Sequence, residues 1–226
     1  VHRIPRYPIP LPGVGPIDEH AQALMLEVEP SMIDKDHQIN SIVVNSLVTA
    51  ERDYIGEVRF VGLNMSGKPS TCITGEVTVV GALSLQDVGL QAWSGADKRQ
   101  TLVIRPLLSA SIHRLMFQVL FMTPVPPGGE FDISYSFRLP KAMYSKDDYD
   151  ILNIARFQRG VARLSYALST PLKLVGPMLF EVRRSGLYPY PSQIIHRYDS
   201  LKGSEYFVEV ANPNPMGYLF FYHELK

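Results

Sequence analysis

The strongest structural signal in the sequence is residues 130–139, which read EFDISYSFRL. Apolar Phe131, Ile133, Tyr135 and Phe137 alternate with polar residues along this stretch. A period of two is that of a β-strand, in which successive side chains point to opposite faces. We therefore predict a strand with one buried face that carries these four residues.

The same pattern extends outward from this stretch over most of the chain. There is no regular alternation of strands and helices, which disfavours doubly wound folds and TIM barrels. The pattern favours an antiparallel β-sandwich, immunoglobulin-like or jelly-roll-like. The segment 64–69 predicts a hairpin between the strands on either side of it. Ten or eleven strands are predicted, over residues 42–48, 54–63, 71–80, 102–107, 115–122, 131–139, 162–168, 178–184, 192–198, 205–211 and 217–223.

One stretch departs from the pattern and predicts a short helix near residues 146–158. Asp147, Asp148 and Asp150 would occupy its first turn, where acidic side chains offset the helix dipole. Ile151 and Ile154 have helical spacing, and Gly160 is a typical residue for the end of a helix.

The composition limits the functional classes. Among 226 residues, 22 are Lys or Arg and 22 are Asp or Glu, so the net charge is zero and general nucleic-acid binding is disfavoured. The single cysteine, Cys72, excludes an intrachain disulfide and a zinc site built on several cysteines. It favours a cytoplasmic protein, or a virion protein if the chain is a capsid component. No stretch of about 18 apolar residues is present, so we expect no membrane span.

The N-terminal stretch, residues 1–16, differs in composition from the rest of the chain. It contains five prolines, each of which fixes its own backbone geometry and extends the preceding residue. We predict a proline-rich strap or linker over 1–16 and a β-sandwich domain over 17–226. A division into two β modules near residues 140–160 is the alternative.

The common catalytic and cofactor motifs are missing from the sequence. There is no P-loop, no dinucleotide-binding glycine motif, no HExxH and no GxSxG. None of the six histidines lies two to four residues from another, so no metal site and no cofactor are predicted. His37, between Asp36 and Gln38, is interpreted as a solvated loop residue.

Two groups of residues are candidates for binding. Arg156, Arg159 and Arg183 could form an anion-binding patch if the fold brings them together, because guanidinium groups suit phosphate and carboxylate. The alternative is a solvated helix face on which the arginines pair with nearby acids.

The second group is Tyr188 and Tyr190, in a segment whose prolines should prevent regular strand pairing. We predict that these tyrosines form an exposed contact surface.

These observations favour a non-enzymatic interaction module over an enzyme. It would bind a partner protein or a sibling subunit as part of a larger protein or assembly. A viral or phage capsid protein of the jelly-roll type is one alternative. A small-ligand sensor or enzyme with an Arg/Asp pocket is the other.

Overall fold

The computed structural model describes residues 28–79, 83–95, 97–98, 100–109, 114–142, 147–183, 186–191, 193–199 and 203–224. Within these ranges almost all of the regular secondary structure is β-strand, and the only helical element is a single 3-10 turn at Pro30–Met32. The prediction of an all-β fold is therefore confirmed. The proline-rich stretch 1–16 lies outside the described residues.

Fifteen strands are present in the described part of the chain. They are β1 (His37–Val48), β2 (Tyr54–Asn64), β3 (Ser70–Thr78), β4 (Gln91–Ser94), β5 (Gln100–Thr101), β6 (Val103–Leu107), β7 (Arg114–Val125), β8 (Glu130–Leu139), β9 (Asp147–Asn153), β10 (Arg163–Thr170), β11 (Leu174–Arg183), β12 (Gly186–Pro189), β13 (Ile195–Asp199), β14 (Gly203–Ala211) and β15 (Gly217–Glu224).

The largest element of the fold is an eight-stranded sheet in the order β13-β14-β10-β1-β2-β8-β4-β5. Strands β1 and β10 are parallel, and the other neighbours are antiparallel. A row of paired, buried side chains crosses five of these strands: Val208, Tyr166, Val44, Val58 and Tyr135. The sheet therefore has one continuous apolar face, as the period-two pattern requires.

Two smaller sheets cover this face side by side. The three-stranded sheet, β3-β7-β6, brings Phe117 edge-on to Tyr135 with the ring centres 5.0 Å apart. The four-stranded sheet, β12-β11-β15-β9, brings Phe220 into a stack with Tyr166 at 4.3 Å. The molecule is thus a β-sandwich whose second layer is divided into two sheets.

The predicted strand 131–139 has the expected orientation. Phe131, Ile133 and Tyr135 are buried on the apolar face, whereas Phe137, on the same face, is half-buried and packs at its margin. Asp132 lies on the opposite, open face, where both of its oxygens accept hydrogen bonds from Arg59.

The predicted hairpin between residues 54–63 and 71–80 is wrong, because β2 and β3 belong to different sheets. The turn between them carries the chain from one layer to the other. The buried Asn64 side chain stabilises this crossing by donating to the carbonyl oxygens of Lys68 and Val125, both at 2.8 Å. Alternation predicts a strand, but it does not predict which strand lies beside it.

The predicted helix near residues 146–158 is also wrong. Residues 147–153 form strand β9, which pairs along its whole length with β15. Residues 154–160 then form two turns, closed by hydrogen bonds from Phe157 N to Ile154 O and from Gly160 N to Phe157 O. Acidic residues in a first helical turn contribute only about 0.3–1 kcal/mol each. The seven residue pairs that β9 forms with the apolar strand β15 stabilise the strand by more than this local preference for a helix.

We expect Gly75→Ala to destabilise the fold by about 1–3 kcal/mol, the usual cost of overpacking a core. A methyl group at Gly75 would lie 2.5 Å from the Phe117 ring, which is fully buried. Gly67→Ala is the matched control, because nothing lies within 4 Å of its added methyl group. Chemical denaturation of both variants measures the difference. Equal stabilities would show that β3 does not pack against Phe117 in this way.

Candidate functional site

The two arginines of the turn at 154–160 lie in different environments. Arg156 is only 3% exposed, and its guanidinium group lies 4.5 Å from the Phe157 ring centre and 5.5 Å from that of Phe60. Arg159 is exposed, and its Nε donates to the carbonyl oxygen of Lys35 at 2.7 Å. The fold therefore does not bring them together as one anion-binding surface. Arg183 pairs through its backbone with Gly186, and its side chain is outside the described residues.

Arg156 joins three parts of the fold. Its Nη1 donates to the carbonyl oxygen of Thr74 on β3 at 3.0 Å, while the Phe60 ring belongs to β2 of the large sheet. Its Nε is buried without a hydrogen-bond partner. Such a group carries a desolvation cost, which the two ring contacts and the bond to Thr74 offset.

The same turn holds the segment that precedes β1. The Asp34 backbone N–H donates to Arg156 O at 2.8 Å, and the Gln158 N–H donates to Asp34 O at 2.9 Å. Together with the bond from Arg159 to Lys35, these contacts fix the conformation of residues 34–37.

Three polar side chains form a hydrogen-bonded line at this position. His37 Nδ1 lies 2.7 Å from Asp34 Oδ2, and His37 Nε2 lies 2.9 Å from Ser70 Oγ. His37 is 4% exposed, and the rings of Phe131 and Phe121 stand edge-on to it at 5.0 and 6.3 Å. The interpretation of His37 as a solvated loop residue is wrong.

The environment of Asp34 determines which atom of His37 donates to it. Burial alone would raise the pKa of the Asp34 carboxyl group. The bond and charge of His37 and the backbone N–H groups of His37 and Asp36 outweigh burial and hold that pKa below its ordinary value. An ionised carboxylate only accepts, so His37 donates from Nδ1. In a neutral ring that donates from Nδ1, Nε2 is the acceptor atom, and here it faces Ser70 Oγ, which also lies 3.3 Å from the carbonyl oxygen of Cys72. His37 is therefore oriented as a base toward Ser70.

The sequence contained little that could have revealed this arrangement. Asp34 and His37 are three residues apart at the start of a strand. This spacing indicates only that the Asp34 side chain can accept hydrogen bonds from backbone N–H groups that follow it closely in the chain. Ser70 is 33 residues further along, and its hydroxyl reaches His37 because the turn that leads to Ser70 begins at Asn64, the partner of His37 in the sheet.

The segment that contains Tyr188 and Tyr190 is not irregular, as the prolines had suggested. Residues 186–189 form β12, in which Tyr188 pairs with Glu181 and Pro189 with Phe180. The Tyr190 N–H continues the pairing by donating to Leu179 O at 2.8 Å. Strand β12 is at the edge of its sheet, where a proline can be accommodated without loss of a ladder bond.

No group of three His, Cys, Asp or Glu side chains that could hold a metal ion occurs among the described residues. Within the same ranges, no helix is long and apolar enough to cross a membrane.

Comparisons with known proteins rest on structure, because no family model and no curated protein matches the sequence. A chain from Parabacteroides distasonis described as a "putative protease" is similar at TM-score 0.54 and 10% identity, covering 83% of this chain and 40% of that chain. A "putative nutrient binding protein" from Legionella pneumophila is similar at TM-score 0.55 and 8% identity, covering 85% and 68%. An M1 zinc metallopeptidase from Deinococcus radiodurans gives TM-score 0.47 and 10% identity, covering 85% and 44%.

At such identities the likeness shows the fold alone. This chain spans less than half of the length of the protease chain that it matches. The interpretation as a non-enzymatic interaction module is contradicted, because the fold recurs within a chain described as a "putative protease".

We expect Tyr190→Ala to lower the free energy of unfolding by about 1–2 kcal/mol, less than the 3–5 kcal/mol of a fully buried aromatic residue. The half-buried Tyr190 ring stands edge-on to that of buried Tyr218 at 6.0 Å. Tyr198→Ala is the control, since Tyr198 is 74% exposed. Thermal melts compare them, and an unchanged melt for Tyr190→Ala would show that this ring does not contribute to the core.

We expect Asp34→Asn to lower stability by about 1.5–3 kcal/mol at pH 7, the range for hydrogen bonds to a charged group. The pKa of Asp34 is lower in the folded state than in the unfolded state, where it is near 3.8. Ionised Asp34 therefore stabilises the fold at pH values above the unfolded-state pKa, and this stabilisation is lost as the pH falls through the folded-state pKa. The difference between wild type and variant should therefore vanish in acid. Denaturation at several pH values tests this, with exposed Asp36→Asn as the control. A difference that does not depend on pH would contradict the assignment.

Proposed function

We propose that this chain is the β-domain of a peptidase-type enzyme and works together with a catalytic region that lies outside the described residues. The observation that carries the proposal is the likeness to the protease chain from P. distasonis, which covers most of this chain but only 40% of that one. The proposal takes residues 17–226 as one domain, because β1 and β2 share a sheet with β10 and β14. It retains the cytoplasmic location expected from the single cysteine.

The face of the large sheet that would meet the catalytic region is the open one. The small sheets pack against the other face, and Leu47 on β1, Phe207 on β14 and Ile195 on β13 are exposed. Phe207 pairs with Ile195 on one side and with Ala167 on the other, whereas Leu47 pairs with Ser169, two residues along β10 from Ala167. Exposed apolar side chains grouped on one face of a sheet are typical of a surface that another unit covers.

Charged pairs lie on the same open face, on the β2 side of this apolar patch. Arg59 and Asp132 form a two-pronged pair with distances of 2.8 and 2.6 Å, and Lys98 bonds to Glu57 at 2.6 Å. Paired charges at the margin of an apolar patch resemble the polar rim of an interface between domains. In the proposed enzyme this face carries the catalytic region, and the covered face provides rigidity.

The test uses the complete gene product that contains this chain. We expect it to hydrolyse fluorogenic aminoacyl or peptidyl amides, and we expect Leu47→Glu combined with Phe207→Glu to reduce the rate roughly tenfold or more, equivalent to about 1.4 kcal/mol. Both side chains are already exposed, so the melting temperature of the isolated domain should change little. Limited proteolysis should show a less protected domain boundary in the variant.

Leu108→Glu is the matched control, because Leu108 is 97% exposed and lies just beyond β6 on the opposite layer. A gene product that hydrolyses no peptide would overturn the proposed function. An equal loss of activity in Leu108→Glu would overturn the assignment of the open face.

A further inference from the structure

We propose that Ser70 is a nucleophile that accepts acyl groups from small esters, and that Asp34, His37 and Ser70 act as a serine-type acyl-transfer site. This site lies within the chain itself. It is separate from the peptide hydrolysis proposed above, which requires the catalytic region. The two proposals can therefore fail independently.

The hydrogen-bond geometry matches what base-assisted nucleophilic catalysis requires. A nucleophile and its base must lie within about 2.6–3.2 Å, and a third group must orient the base. Here Ser70 Oγ is 2.9 Å from His37 Nε2, and Asp34 Oδ2 is 2.7 Å from His37 Nδ1. Arrangements of this type are recognised by geometry and by the role of each residue, not by sequence position.

The base is held in one orientation before any substrate arrives. Asp34 Oδ1 accepts from the backbone N–H groups of Asp36 and His37 at 3.0 and 2.9 Å, so Oδ2 has a fixed direction. The rings of Phe121 and Phe131 confine the imidazole from the side. Arg156 and Arg159 are positioning residues that act indirectly. The Arg156 carbonyl oxygen accepts from the backbone N–H of Asp34, and the Arg159 side chain donates to the carbonyl oxygen of Lys35.

Ser70 is the member of the three that can meet a substrate. It is half-buried and lies between exposed Pro69 and exposed Thr71, at the start of edge strand β3. The register of β3 against β7 shifts between Ser70 and Cys72, so that Thr71 is opposite no single residue of β7. The backbone N–H of Thr71, next to the nucleophile, is the group assigned to stabilise the oxyanion.

The surroundings of Ser70 indicate the class of acyl group. Met122 is exposed in the part of β7 opposite the register shift, between the partners of Ser70 and Cys72. Met65 is also exposed, and its backbone N–H donates to Asp36 O beside His37. Flexible thioether side chains adapt to apolar ligands, which favours esters with short apolar acyl groups.

The reaction consumes one ester and one water. Ser70 Oγ bonds to the ester carbonyl carbon while its proton moves to His37 Nε2, and the bond from carbon to the leaving oxygen then breaks as Nε2 returns that proton to the alcohol. Water next attacks the acyl-serine, gives its proton to Nε2, and releases the carboxylic acid as Ser70 Oγ regains a proton. Ionised Asp34 stabilises the imidazolium that forms in both steps.

The test measures acylation of the chain as it stands. The chain is incubated with p-nitrophenyl butyrate and, separately, with a fluorophosphonate, and modified residues are mapped by peptide mass spectrometry. We expect nitrophenol release and labelling of Ser70, no labelling of that position in Ser70→Ala, and a rate about two orders of magnitude lower in Asp34→Asn. Chelator should leave the rate unchanged.

Ser84→Ala is the matched control. The Ser84 hydroxyl is hydrogen-bonded to Asp87 at 2.7 Å, and no histidine of the described ranges is bonded to it, so its loss should not change the rate. Circular dichroism and melting curves show which variants are folded. If Asp34→Asn does not fold, Ser70→Ala carries the comparison, because Ser70 is half-buried and its replacement removes one oxygen atom.

Two results overturn the proposal. The first is an absence of ester cleavage and of labelling in the wild-type chain. The second is cleavage or labelling that is equally fast in Ser70→Ala, which would place the reactive group elsewhere.

Discussion

The apolar face of the eight-stranded sheet is the constraint on which the rest of the structure depends. At about 4.8 Å between neighbouring strands, eight strands extend over about 34 Å, whereas four strands extend over only about 14 Å. One small sheet therefore cannot cover the face. All strands of the three-stranded sheet precede β8 in the chain, and all strands of the four-stranded sheet follow it. Both small sheets pack against the same face of the large sheet.

Division of the covering layer creates two internal edges, and the buried Arg156 lies at these edges. Strand β3 is an edge of the three-stranded sheet, and β9 is an edge of the four-stranded sheet. Edge strands leave backbone groups without a neighbouring strand, and a buried group of this kind needs another partner. Arg156, in the turn after β9, supplies one by donating to Thr74 O of β3. A buried arginine at this position thus satisfies a backbone carbonyl group rather than binding an anion from solvent.

The sequence predicted the strands well because alternation along one strand reports which face of that strand is buried. The stretch 130–139 shows this, since Phe131, Ile133 and Tyr135 are all buried as expected. Alternation carries no information about neighbours, so the separation of β2 from β3 into different sheets could not be predicted. The helix expected near residues 146–158 failed for the same reason, because local preferences ignored the pairing available along β15.

The candidate site depended still more on long-range packing. Arg156 and Arg159 are close in the chain, yet one is buried between two rings and the other binds a loop carbonyl, because a turn presents successive side chains to different surroundings. His37 reaches Ser70 because the turn from β2 to β3 begins at Asn64, which is paired with His37. At 10% identity the comparison with the protease chain concerns the layers of the fold and not these side chains. The chemistry proposed at Ser70 is therefore a property of this sequence, in which edge strand β3 carries the serine and the turn at 154–160 holds the backbone of Asp34.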